Sequence, residues 1–253
     1  MILYHGSNIE IPQPKLLKHQ RPLDFGPGFY TTSDKQQAEA WAIRTARIRK
    51  KGEPIVSIYK LNNSALNTLK VLSFDSANKD WLQFVTANRK RLTQNDGWDI
   101  VSGPVANDQT MPTLMLYLDG YITENEAIAK LLPQSLTDQF VFKTDVALNN
   151  LHFKKAVFMK SNKKSTETTK QNAMKKLPYF AIDYYDREVI TQIMYKYNMN
   201  ATNAIECFIC SETHSILEDA ENGMWHFPAY VIFNMWEAEQ ITGDPRNSQF
   251  IRE

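Results

Sequence analysis

The sequence has little cysteine: its 253 residues contain two, Cys207 and Cys210. Two cysteines exclude a disulfide framework. A C-x-x-C pair can be redox-active or can supply half of the four ligands that a structural zinc ion takes, and no second pair is present to complete a zinc site. The pair lies in an apolar helical pattern over residues 204–210, so we expect two buried free thiols. A chain without disulfides fits a reducing compartment, and we expect a cytoplasmic protein.

The sequence also lacks an excess of one charge and any long apolar run. Its 29 basic and 28 acidic residues give a net charge of +1, so no overall field favours nucleic acid or an anionic membrane. No run approaches the roughly 18 apolar residues of a membrane span, and residues 1–5 do not resemble a secretory leader. A basic stretch over residues 44–51 is the local exception. It is either a solvated helix end or a contact for a pyrophosphate or a nucleic-acid target.

The hydrophobic fraction of 43% is enough for a packed core. Strand and helix patterns follow one another without regular alternation, which predicts an α+β fold rather than a doubly wound parallel sheet. The predicted strands cover residues 2–4, 29–32, 55–61, 71–74, 139–142 and 153–159, and residues 99–108 read as a further strand that ends in a tight turn. One predicted helix begins at a capping box over residues 33–36. Further helices are predicted over residues 81–88, 112–118, 124–132 and 145–149.

The composition predicts two domains joined by a linker. Residues 161–176 are too polar to bury a core, so they are assigned as the linker between a domain at 1–160 and a helical accessory domain at 177–253. In the second domain we expect a separate apolar core. Its final helix is predicted over residues 227–236, followed by a loose tail from Thr242.

Two short stretches of the first domain belong together. Residues 3–7 read LYHGS and follow an apolar strand at the start of the chain. Residues 24–32 read DFGPGFYTT, where two glycines around a proline permit close approach of a ligand or a second strand. The aromatic and β-branched residues that follow predict a buried strand. A tight turn beside an aromatic strand suits a flat ligand.

These stretches, together with QA..WA at 37–42 and GPxAND at 103–108, resemble the ADP-ribosyltransferase superfamily of the diphtheria-toxin and poly(ADP-ribose) polymerase type. The closest resemblance is to a bacterial family that carries all four patterns. It implies a split β-sheet core with flanking helices, and NAD as substrate. The second domain resembles, through LEDxExGxW at 217–225, small helical modules found beside or fused to that family in toxin–antitoxin arrangements.

The resemblance implies a site for NAD. His5 would bond a ribose hydroxyl, the Gly6 backbone the nicotinamide amide, and the Tyr30 ring would stack on nicotinamide. The family's third position is a glutamate, and the matching residue here is Gln139, which can form hydrogen bonds but carries no charge. The catalytic residues implied are His5, Tyr30 and Gln139. The NAD-binding residues implied are His5, Gly6, Ser7, Gly26, Gly28, Phe29, Tyr30 and Thr31.

Several neighbouring residues have alternative roles. Asn107 and Asp108 either close a turn or face the acceptor substrate. Asp138, Glu124 and Glu126 are further carboxylates that could replace the missing charge, although Glu126 is explained by a capping box. The sequence shows no metal-ligand spacing, and we expect no metal.

The resulting hypothesis is a toxin-like mono-ADP-ribosyltransferase. It would cleave the nicotinamide–ribose bond of NAD and transfer ADP-ribose to a protein or nucleic-acid target. Residues 177–253 would restrain the first domain in cis or contact a partner antitoxin. The alternative is a catalytically degenerate fold that binds a nucleotide or a protein. NAD hydrolysis without a macromolecular acceptor is the third reading.

Overall fold

The computed structural model describes residues 1–17, 23–90, 97–106, 110–134, 136–159 and 177–251. Its strands are β1 (Ile2–Ser7), β2 (Phe29–Thr31), β3 (Ile55–Leu61), β4 (Val71–Ser73), β5 (Ile100–Pro104), β6 (Asp138–Phe142) and β7 (Leu151–Phe158). Its helices are α1 (Lys35–Arg49), α2 (Lys79–Arg89), α3 (Met111–Leu118), α4 (Glu124–Leu131), α5 (Asp145–Leu148), α6 (Tyr179–Tyr197), α7 (Ala201–Ile209), α8 (Glu212–Glu218) and α9 (Ala229–Thr242).

The strands form two sheets, and the predicted α+β class is confirmed. The first sheet has the order β1-β3-β7 and is antiparallel throughout. The second has the order β2-β6-β5-β4, in which the β4–β5 pair alone is parallel. Backbone hydrogen bonds in both directions between Tyr4 and Thr32, at 2.8 and 3.0 Å, join the two sheets. The two motifs around residues 3–7 and 24–32 therefore meet at this junction.

Three apolar clusters hold the elements together. Between the sheets, buried side chains of β1, β2, β3, β5 and β6 pack together: Leu3, Phe29, Tyr59, Leu61, Ile100 and Phe142. On the outer face of the first sheet, Ala38 and Ala42 of α1 pack on Val56 and Ile58 of β3. The third and largest cluster covers the other face of the second sheet, where α2, α3 and α4 bury their apolar sides.

The largest cluster continues into the C-terminal region. It includes Trp81 of α2 and Val141 of β6 together with Tyr185, Phe227 and other buried residues of 177–251. Trp41 of α1 packs against Phe227 with ring centroids 6.0 Å apart. The separate core expected for the second domain is therefore wrong: the apolar residues of both regions form one cluster. The division at 160 and 177 stays a prediction, because the polar stretch 161–176 lies outside the described residues.

Among the local predictions, the capping box of α4 is confirmed, whereas the cap of α1 and the loose C-terminal tail are wrong. The capping box at Thr123 and Glu126 is present at the start of α4. Helix α1, however, is capped by Asp34, whose carboxylate accepts from the backbone N–H groups of Gln36 and Gln37. Ser33 instead donates its hydroxyl to Asp138. The final helix runs on to Thr242, and the tail after it is not loose, because Phe250 and Ile251 are buried.

The expectation for the cysteines was also wrong. Cys207 and Cys210 are free and exposed. Helix α7, which contains Cys207 and is capped by Cys210, buries Ala204 and Phe208 instead. Within the described ranges, no helix is both long and apolar enough to cross a membrane.

We expect Tyr185 to stabilise the junction between the two regions. Its hydroxyl lies 2.7 and 2.8 Å from the carbonyl oxygens of Trp225 and Phe227, and it is the donor to both. Because Tyr185→Phe leaves these buried acceptors without that donor, it should lower the free energy of unfolding by about 1–3 kcal/mol in urea denaturation. The matched control is Tyr184→Phe, a half-buried neighbour without such a bond, which should change it by less than about 0.5 kcal/mol. Equal effects of the two variants would contradict this role.

Candidate functional site

Two adjoining cavities open at the junction of the sheets. The outer cleft has a volume of about 580 Å³, and the inner cavity about 90 Å³. The outer cleft is within the size range of small-molecule sites. Five residues line both cavities, so the two are contiguous: His5, Gly6, Leu23, Tyr30 and Trp41.

The structure brings most of the sequence-predicted residues to these cavities. The outer cleft is lined by His5, Gly6, Ser7, Gly28, Phe29 and Tyr30. The inner cavity is lined by His5, Gly6, Tyr30, Thr31 and Gln139. Gly26 lines neither of them. It has a φ of +80° in the turn before β2, and its carbonyl accepts the Tyr30 hydroxyl. Asn107 and Asp108 lie outside the described residues.

The His5 ring is fixed from two sides. Its Nδ1 lies 2.6 Å from the carbonyl oxygen of Tyr30, and its ring stacks on Phe29 with centroids 4.4 Å apart. A carbonyl can only accept, so Nδ1 carries the proton, and in the neutral ring Nε2 is the acceptor nitrogen. Two residues of β2 thus help to orient His5 of β1.

Gly6 is required by the close packing of β1 on α1. A Cβ atom at this position would lie 2.0 Å from the carbonyl oxygen of Ala38 and 2.7 Å from the backbone nitrogen of Ala42. Only glycine allows this approach. The backbone of β1 therefore forms a wall of both cavities without a side chain in the way.

The Tyr30 ring lies between the two cavities and is held by its hydroxyl. That hydroxyl donates to the Gly26 carbonyl oxygen at 2.5 Å and accepts from the Phe25 backbone N–H at 3.2 Å. Burial, with the nearby Asp24 charge as a second cause, raises the pKa of Tyr30 well above its ordinary value. The phenol therefore stays neutral, and Tyr30 lines both cavities.

Gln139 is buried at the back of the inner cavity. Its Nε2 lies 3.4 Å from both Asp24 Oδ2 and the Pro104 carbonyl oxygen, and its side chain donates toward them. Asp24 is the only acidic residue among the described residues that line this cavity. The amide of Gln139, which the resemblance matches to a glutamate, thus lies next to the Asp24 carboxylate.

Asp24 forms a buried ion pair with Arg89. Arg89 Nε and Nη2 donate to Asp24 Oδ1 at 2.9 and 2.6 Å, and both side chains are 4% exposed. Burial is the largest single influence on the pKa of Arg89 and lowers it, but the charge and hydrogen bonds of Asp24, together with Tyr185 and Tyr184, outweigh burial, and the pKa is raised. Asp24 Oδ2 accepts from the Ala106 backbone N–H, and Arg89 Nη2 also donates to the His226 carbonyl oxygen. The Asp24 charge is therefore neutralised within the protein.

The alternative carboxylates do not line either cavity. Asp138 accepts from the Thr32 hydroxyl and from the backbone and hydroxyl of Ser33, so it holds the turn between β2 and α1. Glu126 closes the capping box of α4, as the sequence predicts. Glu124 pairs with Lys79 and accepts from Gln83. Across the described ranges, no group of three or more His, Cys, Asp or Glu residues is placed to hold a metal ion.

Sequence reasoning missed many of the lining residues, among them Gln37, Trp41 and three residues of the C-terminal region. Gln37 and Trp41 lie on α1 and line the inner cavity. The C-terminal region supplies His226 to the inner cavity and Gln249 and Phe250 to the outer cleft. The spacing of Gln37 and Trp41, four residues apart on one helix face, is a signal that was present. The other three have no local signal, because their approach depends on tertiary packing.

Comparison with protein families gives one match. Residues 1–153 match the model of a family described as "Protein of unknown function (DUF3990)". The chain belongs to the DUF3990 family. The match runs from β1 into β7 and so includes every lining residue except the three from the C-terminal region. No curated protein matches the chain, and no solved structure matches it.

We expect the Asp24–Arg89 pair to be a major stabilising contact of this DUF3990 chain. Arg89→Met should lower the free energy of unfolding by about 3–5 kcal/mol, because it leaves the Asp24 carboxylate buried without its counter-charge. The measurement is urea denaturation followed by tryptophan fluorescence.

The matched control is Arg47→Met. Arg47 pairs with Asp219 and Glu221, but its side chain is 42% exposed. Solvent screening limits the expected loss to about 1 kcal/mol or less. A loss at Arg89 no larger than that at Arg47 would contradict the structural role of the buried pair.

Proposed function

We propose that this protein is a mono-ADP-ribosyltransferase that cleaves NAD at the nicotinamide–ribose bond and transfers ADP-ribose to a macromolecular acceptor. One observation carries the proposal. His5, Gly6, Tyr30 and Gln139, which the resemblance assigns to the NAD site from separate parts of the sequence, line a single cavity. The two junction motifs that suggest the activity also meet in space, through the Tyr4–Thr32 bridge.

The shape of the site supports a dinucleotide substrate. The inner cavity is small and bounded by the Tyr30 and Trp41 rings, which suits a flat, neutral ring such as nicotinamide. The outer cleft is larger and carries the basic residues Lys15 and Arg49 on its lining, which suits the phosphate-bearing part of the molecule. His5 and Gly6 line both spaces, at the point where the ribose would lie.

In the proposed reaction the C–N bond between ribose and nicotinamide breaks and nicotinamide leaves as a neutral molecule. A nucleophile on the acceptor then bonds to the ribose carbon and loses its proton to solvent. The contribution of the site is positioning: a stacked ring, a fixed ribose and an acceptor held on the open side. The hydrogen bond between His5 Nδ1 and the Tyr30 carbonyl oxygen fixes the ring that the resemblance assigns to the ribose.

A binding module without turnover is the second candidate, and one observation favours it. Asp24 is paired with Arg89, and Gln139 is neutral, so the described part of the inner cavity offers no unpaired negative charge to a ribosyl cation. The same pocket would then hold a nucleotide without cleaving it. Nicotinamide release separates the two candidates.

The experiment is calorimetric titration with NAD, followed by measurement of nicotinamide release on the same samples. We expect wild-type protein to bind NAD and release nicotinamide, and Tyr30→Ala to lose binding by about tenfold or more, since stacking on an aromatic ring contributes about 1–3 kcal/mol. Tyr30→Phe is the matched control, because it keeps the ring and removes only the hydroxyl that holds the turn.

Wild-type protein that binds no NAD would contradict the proposal, and binding without release would leave the second candidate. A loss of binding in Tyr30→Phe equal to that in Tyr30→Ala would show that the hydroxyl and its turn, rather than the ring, support the ligand. Thermal unfolding of each variant accompanies the titration.

The C-terminal region is proposed to restrain this site in cis. Phe250 lines the outer cleft and Ile251, its neighbour, does not, although both are buried. Phe250→Ala should therefore raise the affinity for NAD several-fold by opening the cleft, whereas Ile251→Ala should leave it unchanged. The measurement is the same titration. A lower affinity in Phe250→Ala would mean that this residue supports the ligand rather than restrains access.

A further inference from the structure

Gln37 is a polar residue of the inner cavity that the site as described does not use. It lies in the first turn of α1, and its backbone N–H donates to the capping carboxylate of Asp34 at 3.1 Å. It lines the inner cavity, as do Ala38 and Trp41 of the same helix. The preceding residue, Gln36, is exposed. Two glutamines side by side thus differ in whether they face the cavity.

The side-chain oxygen of Gln37 is buried and accepts no hydrogen bond within the described part of the chain. A buried carbonyl oxygen without a donor lowers the stability of the folded state, so native proteins retain few of them. When such a group lines a cavity, a ligand that brings an N–H group can supply the missing bond.

The neighbouring polar side chains are committed to the protein. The Tyr30 hydroxyl donates to the Gly26 carbonyl, the Thr31 hydroxyl to the Phe140 carbonyl, and the Gln139 amide toward Asp24. Gln37 is different, because its oxygen has no partner among the described residues. It is therefore the side chain of this group that is best placed to select a ligand by hydrogen bonding.

We propose that Gln37 is the side chain that recognises the carboxamide of the ligand in the inner cavity, beside the Gly6 backbone. The proposal rests on the proposed function, in which that ligand group is the nicotinamide of NAD. The Gln37 oxygen accepts from the ligand NH₂ group and the Gln37 nitrogen donates to the ligand carbonyl oxygen, so the two amides pair reciprocally. A carboxylate in place of the carboxamide offers no donor and sets a negative charge against the Gln37 oxygen. Gln37 thus makes the site specific for the amide.

The test compares NAD with nicotinic acid adenine dinucleotide, which differs only in carrying a carboxylate at that position. Because the rest of the two ligands is the same, the ratio of their affinities isolates the carboxamide. We expect wild-type protein to prefer NAD by about tenfold or more, the effect of one buried hydrogen bond. Gln37→Leu should reduce this preference by about tenfold. Gln36→Leu, the exposed neighbour, should keep the wild-type ratio.

Two further readouts separate recognition from a structural role. Gln37→Leu should melt at a temperature no lower than that of wild type, because it removes a buried acceptor that the fold does not satisfy. Gln37→Glu retains an acceptor and repels a carboxylate ligand, so it should keep the preference for NAD. A Gln37→Leu protein that is less stable, paired with a Gln37→Glu protein that has lost the preference, would overturn the proposal.

The outcomes also separate this proposal from the proposed function. If NAD is bound and cleaved but the ratio is unchanged in Gln37→Leu, the role of Gln37 is overturned and the transferase stands. If the ratio depends on Gln37 but nicotinamide is never released, recognition stands and transfer is overturned. If wild-type protein binds neither dinucleotide, both are overturned.

Discussion

The buried Asp24–Arg89 ion pair connects the parts of the molecule that form the site. Asp24 begins the glycine turn that leads to β2, and Arg89 ends α2. The same two side chains bond the Ala106 backbone after β5 and the His226 carbonyl of the C-terminal region. A buried pair of this kind is stable only while both partners and their further hydrogen bonds are in place. The inner cavity, which Asp24, Ala106 and His226 all line, therefore depends on contacts from four segments at once.

Sequence reasoning succeeded where the signal lies within a few residues. The strand predicted over 55–61 has those bounds, and the capping box of α4 was recognised because its two partners are three residues apart. The cap of α1 was assigned one residue too early, to Ser33 rather than Asp34. Both residue types can cap a helix, and what removes Ser33 from that role is its bond to Asp138, 105 residues away. A capping rule that considers only neighbouring residues cannot identify such a distant partner.

The site was predictable in part for the same reason. His5, Gly6 and Tyr30 are named from short motifs and Gln139 from its position in the family resemblance, and the structure brings all of them to one cavity. His226, Gln249 and Phe250 were not named, because only the continuous apolar cluster between the two regions sets them against the first sheet. The cysteines show the limit of periodicity alone. A helix with a strong apolar pattern was recognised, but the side on which it packs was not, and both thiols are exposed.

The two cavities differ in charge, and each suits a different part of the proposed ligand. In the inner cavity Tyr30 is kept neutral by burial, Gln139 is an amide and Asp24 is cancelled by Arg89, so a neutral group is favoured there. The outer cleft carries Glu10, Lys15 and Arg49 on its lining, so ionic groups are tolerated there. A dinucleotide with a neutral carboxamide end and a charged diphosphate fits this arrangement in one direction only. In the proposed binding mode the nicotinamide would lie against Gln37, with the ribose carbon toward the outer cleft.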